Sequence, residues 1–103
     1  MNAPTSVFLS EAHVSTAEAP RYLRMLCKHF RHKSPTTFDE MHGRIEFSAG
    51  TCELDAAATA GTLKIRILAN DSVALERLEG VVGSHLERFA PKEPLEVRWT
   101  RSV

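Results

Sequence analysis

The chain has 103 residues with 13 basic and 13 acidic side chains, so its formal net charge is zero. A net charge of zero provides no global field that would recruit nucleic acid or an acidic membrane. No stretch approaches the roughly 18 apolar residues that a membrane-spanning helix needs. This length suits one domain, which we expect over residues 6–103 after a loose tail at residues 1–5.

The cysteine content and the N-terminus indicate a reducing compartment. The first residues lack the basic start and the apolar run of a secretory signal. Only two cysteines occur, Cys27 and Cys52, and they are too far apart in sequence to form a CxxC motif. We therefore expect a soluble, cytoplasmic protein with two reduced thiols.

The first predicted strand covers residues 6–14. Two registers compete in this segment, because apolar side chains occur on both faces of the strand. The favoured register buries Ala12 and Val14 and turns Glu11 and His13 toward the solvent.

The first helix is predicted between residues 15 and 33. Hydroxyl side chains at its start can accept an orphan backbone N–H, and a proline is tolerated in the first turn. Apolar side chains then recur at steps of three and four, which is the spacing of one helical face. They are Leu23, Leu26, Cys27 and Phe30, with Tyr22 beside them. The opposite face carries Arg24, Lys28 and Arg31.

Three strands are predicted in the middle of the chain. Two of them, residues 44–48 and 51–56, flank a tight turn at Ala49 and Gly50. The third alternates apolar with basic side chains, which is typical of a half-buried strand. Its apolar members are Leu63, Ile65 and Ile67, and a predicted loop at residues 35–43 precedes all three strands.

A second helix and a last strand complete the predicted elements. Asp71 and its polar neighbours suit a helix start, and Pro91 ends the helix. The apolar stripe of this helix consists of Leu75, Leu78, Val82, His85 and Phe89. Apolar and polar side chains then alternate over residues 95–100, which predicts a strand.

The element order is therefore β-α-β-β-β-α-β. It predicts an α+β fold in which two helices pack on one face of a mainly antiparallel five-stranded sheet. Charged side chains of both signs would cover the other face, which is either solvated or an interface. A homodimer through this face is one hypothesis. The predicted outer residues are Glu11, His13, Arg44, Glu46, Glu53, Lys64, Arg66, Glu96 and Arg98.

Three segments resemble a known bacterial family. They are residues 21–33, 43–54 and 81–90, and their most specific parts are His-Phe-Arg-His-Lys at 29–33 and His-Leu-Glu-Arg-Phe at 85–89. Over about residues 12–99 the chain resembles the domain of unknown function 2218 family. The resemblance implies no established activity or catalytic residue. Genes of this family sometimes occur near siderophore-utilisation genes, so the resemblance implies a link to iron handling.

His85 is the most informative candidate residue. It lies in the apolar stripe of the second helix, which predicts an imidazole that points into the protein. A buried ring nitrogen without a partner would cost roughly 1–3 kcal/mol, so we expect a hydrogen bond. Either His85 is structural and bonds a backbone carbonyl, or it joins His29 in a ligand-binding cleft.

A metal site is the rival interpretation of these histidines. His29 and His32 stand three residues apart on the first helix and could chelate a transition metal, with His85, or both His85 and Cys52, as further ligands. Nearby positive charge disfavours a dication, and histidines at a helix end are commonly structural. We expect no other cofactor.

No catalytic set is recognisable in the sequence. Nucleotide-binding glycine loops, HExxH and GxSxG are absent, and neither cysteine has a base at a defined spacing. We therefore expect a non-catalytic binding or accessory protein for a small molecule or a protein partner. Its basic helical face would be solvated or meet an acidic partner, and nucleic acid is disfavoured because no stacking aromatics interleave with the cations. A metal-binding protein or metalloenzyme and a dimeric interaction module are the alternatives.

Overall fold

The structure, a computed structural model, describes residues 8–102. The predicted tail at residues 1–5 and the first two residues of the predicted first strand lie outside the described residues. The elements are β1 (Phe8–Ser15), α1 (Ala19–Phe30), β2 (Thr36–Phe38), β3 (His42–Phe47), β4 (Gly50–Asp55), β5 (Thr62–Ala69), α2 (Ser72–Phe89) and β6 (Thr100–Ser102).

The strands form one six-stranded sheet in the order β2-β3-β4-β5-β1-β6. All strand pairings among the described residues are antiparallel, and β1 pairs with β5 along its full length. Both helices cover the same face. The predicted α+β class is thereby confirmed, with one strand more than the five predicted.

The additional strand, β2, lies in the segment that we predicted as a loop. Thr36–Phe38 pairs with the first half of β3 after a tight reversal of the chain. The carboxylate of Asp39 accepts the backbone N–H groups of Met41 and His42, each at 2.8 Å. An Asp that bonds the backbone two and three residues on is typical of a turn, so this reversal had a sequence signal.

The hairpin between β3 and β4 is shifted from its prediction by one residue. Its two turn residues are Ser48 and Ala49, and Gly50 already pairs with Phe47. Gly50 is required for close packing, because a Cβ atom there would lie 2.3 Å from the backbone oxygen of Leu68.

The last strand also differs from its prediction. The ladder to β1 contains only Thr100–Ser102, whereas residues 95–99 form no strand. Burial still alternates, since Leu95 is buried and Trp99 is half-buried and reaches toward Gly83 of α2. Side-chain alternation therefore predicted the buried face of this segment correctly but not its backbone pairing.

The inner faces of β1, β3, β4 and β5 and one face of each helix form the core. The favoured register of β1 is confirmed, because Ala12 and Val14 are buried while Glu11 and His13 face outward. The largest side chains in the core that are fully buried are Leu23, Leu26, Ile45, Leu63, Ile65, Ile67, Leu75 and Leu86.

A buried carboxylate ties three elements together. Glu79 of α2 is 8% exposed and accepts a hydrogen bond from Ser10 of β1 at 2.6 Å. Arg101 of β6 donates two further bonds to it, at 3.0 and 2.8 Å. The Arg101 guanidinium holds the pKa of Glu79 below its usual range, against the opposing effect of burial. This network anchors the short β6 strand to the helix layer.

We expect Arg101→Ala to lower the free energy of unfolding clearly, because it leaves the buried Glu79 carboxylate without its bidentate partner. Arg98→Ala is the matched control, since among the described residues Arg98 pairs with the exposed Glu96 alone, and we expect a loss of at most about 1 kcal/mol. Urea denaturation of both variants measures the difference. Equal losses would show that the Glu79 network does not stabilise the fold.

Two glycines give opposite expectations for a change to alanine. Among the described residues, nothing lies within 4 Å of a Cβ atom at Gly80 in α2, so Gly80→Ala should raise the free energy of unfolding by about 0.5–1 kcal/mol.

At Gly43 the added Cβ would lie 2.6 Å from Sγ of Cys27, so Gly43→Ala should lower the free energy of unfolding by about 1–3 kcal/mol. A Cys27→Ala background should recover part of that cost. Denaturation experiments should therefore show that the double variant loses less stability than the sum of the two single variants. Losses that add strictly would contradict the contact between position 43 and Cys27.

Candidate functional site

A pocket opens between the end of α1 and the second half of α2. We call it the histidine pocket, and its lining residues are His29, Phe30, His32, Lys33 and His85. Its volume is about 470 Å³, which falls in the range of small-molecule sites, roughly 300–1,000 Å³.

Contacts near both ends of α1 fix its position relative to α2. Near the start of α1, the hydroxyl of Tyr22 donates to Glu93, just beyond α2, at 2.9 Å. Near the end of α1, the ring centroids of His29 and His85 lie 4.7 Å apart. The two apolar stripes that the sequence predicts therefore meet in one fixed register, and the histidines come together where α1 ends.

Aromatic rings form the wall of the pocket. The ring of Phe30 lies 4.9 Å from the ring centroids of both His29 and His85. Phe47 supports it from the end of β3 at 5.1 Å, and Phe89 lies 5.7 Å from His29. The edge-to-face and tilted arrangements among them are the favoured geometries for such rings. The wall is therefore held in place from two sides.

His85 contributes both to structure and to the pocket. Its Nδ1 lies 2.7 Å from the backbone oxygen of Val81, one turn earlier in α2. In a neutral ring Nδ1 therefore carries the proton and Nε2 is left as an acceptor. The prediction that the imidazole points into the interior needs correction, because the ring is half-buried at the pocket, while the neighbouring Leu86 is fully buried.

The surroundings of His29 favour its neutral form. Its pKa is lowered first by desolvation and then by the positive charge that His85, His32, Lys33 and Arg88 present to it. Arg88 was missed at the sequence level. The available signal was its spacing, because a residue three positions after His85 lies on the same side of the next helical turn.

The structure does not place Cys52 with the three histidines of the predicted metal site. His29, His32 and His85 share the pocket, but Cys52 lies in the core and is fully buried. Within residues 8–102, no three His, Cys, Asp or Glu side chains come together in a way that could hold a metal ion. Metal binding by the histidines alone stays a prediction.

Both thiols are core residues. Burial raises the pKa of the Cys27 thiol to about 11 and also raises the pKa of Cys52. A thiol of raised pKa is protonated at neutral pH and is a poor nucleophile or metal ligand.

The outer face of the sheet carries charges that neutralise one another. Arg66 lies 3.0 Å from Glu11 and 3.6 Å from Glu53, and Arg44 lies 3.2 Å from Glu53. A groove of about 260 Å³ runs between such pairs near His42. Because these arginines already have carboxylate partners, this face is less suited than the histidine pocket to bind an external charged ligand.

We expect His29 to titrate below its ordinary pKa of 6.5 in an NMR pH titration. His85→Phe keeps a ring but removes a neighbouring charge, so the pKa of His29 should rise yet stay below 6.5, because burial remains the larger cause. Between pH 6.5 and the lower pKa of the folded state, His29 binds more protons in the unfolded chain than in the folded one. His29 therefore lowers the free energy of unfolding as the pH falls through this range. A folded-state pKa at or above 6.5 would contradict the packing of the pocket.

The comparisons with known proteins identify relatives but no activity. No curated protein matches the chain. An NMR structure of PA4090 from Pseudomonas aeruginosa is 35% identical and superposes with a TM-score of 0.75 over 90% of this chain and 95% of that chain. In the part of the chain that the structure describes, neither helix has the length and apolar character to span a membrane. A family profile described as "Uncharacterized protein conserved in bacteria (DUF2218)" matches residues 11–100, and the chain therefore belongs to that bacterial family.

Proposed function

We propose that this protein is a non-catalytic binding or accessory module that holds a small organic ligand in the histidine pocket. The observation that carries the proposal is the packing of His29, Phe30 and His85 into one concave aromatic wall around about 470 Å³. Pockets that bind small molecules combine such apolar walls with a few polar groups that orient the ligand. Here the ring nitrogens of the histidines and the ammonium of Lys33 are those groups.

The arrangement of the pocket supports binding rather than turnover. Among the described residues that line it there is no hydroxyl, thiol or carboxylate, so a nucleophile and a carboxylate partner for the histidines are both missing. His85 directs Nδ1 to its own helix, which fixes its ring but couples it to no second catalytic group.

The finer proposal is that the module serves iron or siderophore metabolism. It rests on the resemblance described above and on the aromatic character of the pocket. We expect one chelating arm of a siderophore, rather than its iron centre, to enter the pocket.

Isothermal titration with a ferric tris-catecholate siderophore tests this proposal. We expect saturable binding at one site, weakened by about tenfold or more in His29→Ala, which corresponds to about 1.4 kcal/mol. His13→Ala is the matched control, because His13 is an exposed histidine on the outer sheet face, and it should change the affinity less than twofold.

Three outcomes would count against parts of the proposal. No saturable binding would remove the siderophore link. Equal losses in both variants would exclude the histidine pocket as the binding site. Steady conversion of the probe by the purified protein would remove the term non-catalytic.

A further inference from the structure

One helix and the turn that follows it carry a group of positive charges with no acidic residue among them. Residues 19–33 contain five of the 13 basic side chains and none of the 13 acidic ones, so the rest of the chain has a net charge of −5. Within residues 8–102, none of these five cations forms an ion pair with a carboxylate, whereas the arginines of the sheet do. They are Arg21, Arg24, Lys28, Arg31 and Lys33.

The histidine pocket lies at the C-terminal end of this basic segment. Lys33 lines the pocket, and Arg88 approaches it from α2. Among residues 8–102 no acidic side chain lines the pocket, and Lys33 and Arg88 are among the neighbours that lower the pKa of His29. An anion that enters would therefore meet the positive side chains of Lys33 and Arg88 at the rim and, among the described residues that line the pocket, no carboxylate.

The C-terminal ends of the helices oppose this positive field, but their partial negative charges are smaller. Both α1 and α2 end near the pocket, at Phe30 and Phe89, and a helix C-terminus carries about half a negative charge that fades within one turn. Lys33 and Arg88 each carry a full positive charge. The side chains therefore outweigh the helix ends, and the field at the rim is positive.

We propose that the chemical group which the histidine pocket holds is a small planar aromatic anion of the aryl carboxylate class. This inference rests on the proposed function and specifies its ligand. The aromatic part stacks against Phe30 and the imidazole rings, where face and edge contacts with other rings are favourable. The carboxylate lies at the rim beside Lys33, and the basic segment steers the anion toward the pocket.

A series of three probes with the same ring and different charges tests the inference. The probes are 2-naphthoate, the neutral 2-naphthalenemethanol and the cationic 2-naphthylmethylammonium. In isothermal titrations of the intact protein, we expect affinity to decrease in that order, with the anion at least about tenfold tighter than the cation. Raising the ionic strength from about 0.05 M to about 0.5 M should weaken the binding of 2-naphthoate and leave the binding of the neutral alcohol unchanged.

Lys33→Met identifies the source of the selectivity. We expect it to weaken 2-naphthoate by about two- to fivefold, as for a solvent-exposed charge pair, and to leave the affinity for the alcohol unchanged. Lys64→Met removes the same charge from the outer sheet face and should change neither affinity.

The outcomes separate the inference from the proposed function. Equal affinity for the three probes would overturn the anion selectivity and leave an aromatic-binding pocket in place. Failure of all three probes to bind at millimolar concentration would overturn both. Equal effects of Lys33→Met and Lys64→Met would show that net charge, rather than the rim of the pocket, sets the preference.

Discussion

The contact between the last turn of α1 and the second half of α2 shapes the histidine pocket. The contact brings His29 within 4.7 Å of His85, ring centroid to ring centroid, and places Phe30 against both. It depends on the apolar stripes below it, which anchor both helices to the sheet through fully buried leucines. A shift of either helix by one turn would move the rings about 5.4 Å and separate them. The pocket is thus a consequence of core packing rather than of a flexible loop.

Polar groups are used differently on the two faces of the sheet. On the inner side, the Glu79 carboxylate is fully bonded by Ser10 and Arg101, and this satisfies the requirement that a buried charge be paired. On the outer side, ion pairs are exposed and contribute little to stability. The cations of residues 19–33 belong neither to the buried network of Glu79 nor to the exposed ion pairs of the outer face. Because they have no carboxylate partners among the described residues, they are available to a ligand, and that availability distinguishes the histidine pocket from the sheet grooves.

The fold class could be predicted from the sequence because hydrophobic periodicity was clear in both helices and in β5. The pattern of Leu63, Ile65 and Ile67 allowed only one buried face, and the structure confirms it. The pairing partner of each segment was harder to predict, since backbone hydrogen bonds leave no trace in side-chain alternation; residues 95–99 alternate without forming a strand. The meeting of His29 and His85 could be suggested but not established, because the register between two helices depends on three-dimensional packing. Arg101 and Glu79 are 22 residues apart, and no local pattern linked them.

The most direct test of this account is the position of a bound aryl carboxylate. Intermolecular nuclear Overhauser effects between 2-naphthoate and the ¹³C-labelled protein would locate the ligand at atomic resolution. The account predicts effects from the naphthalene protons to the rings of Phe30, His29 and His85, and none to the outer-face residues His42 or His13. Effects confined to the outer face of the sheet would contradict it.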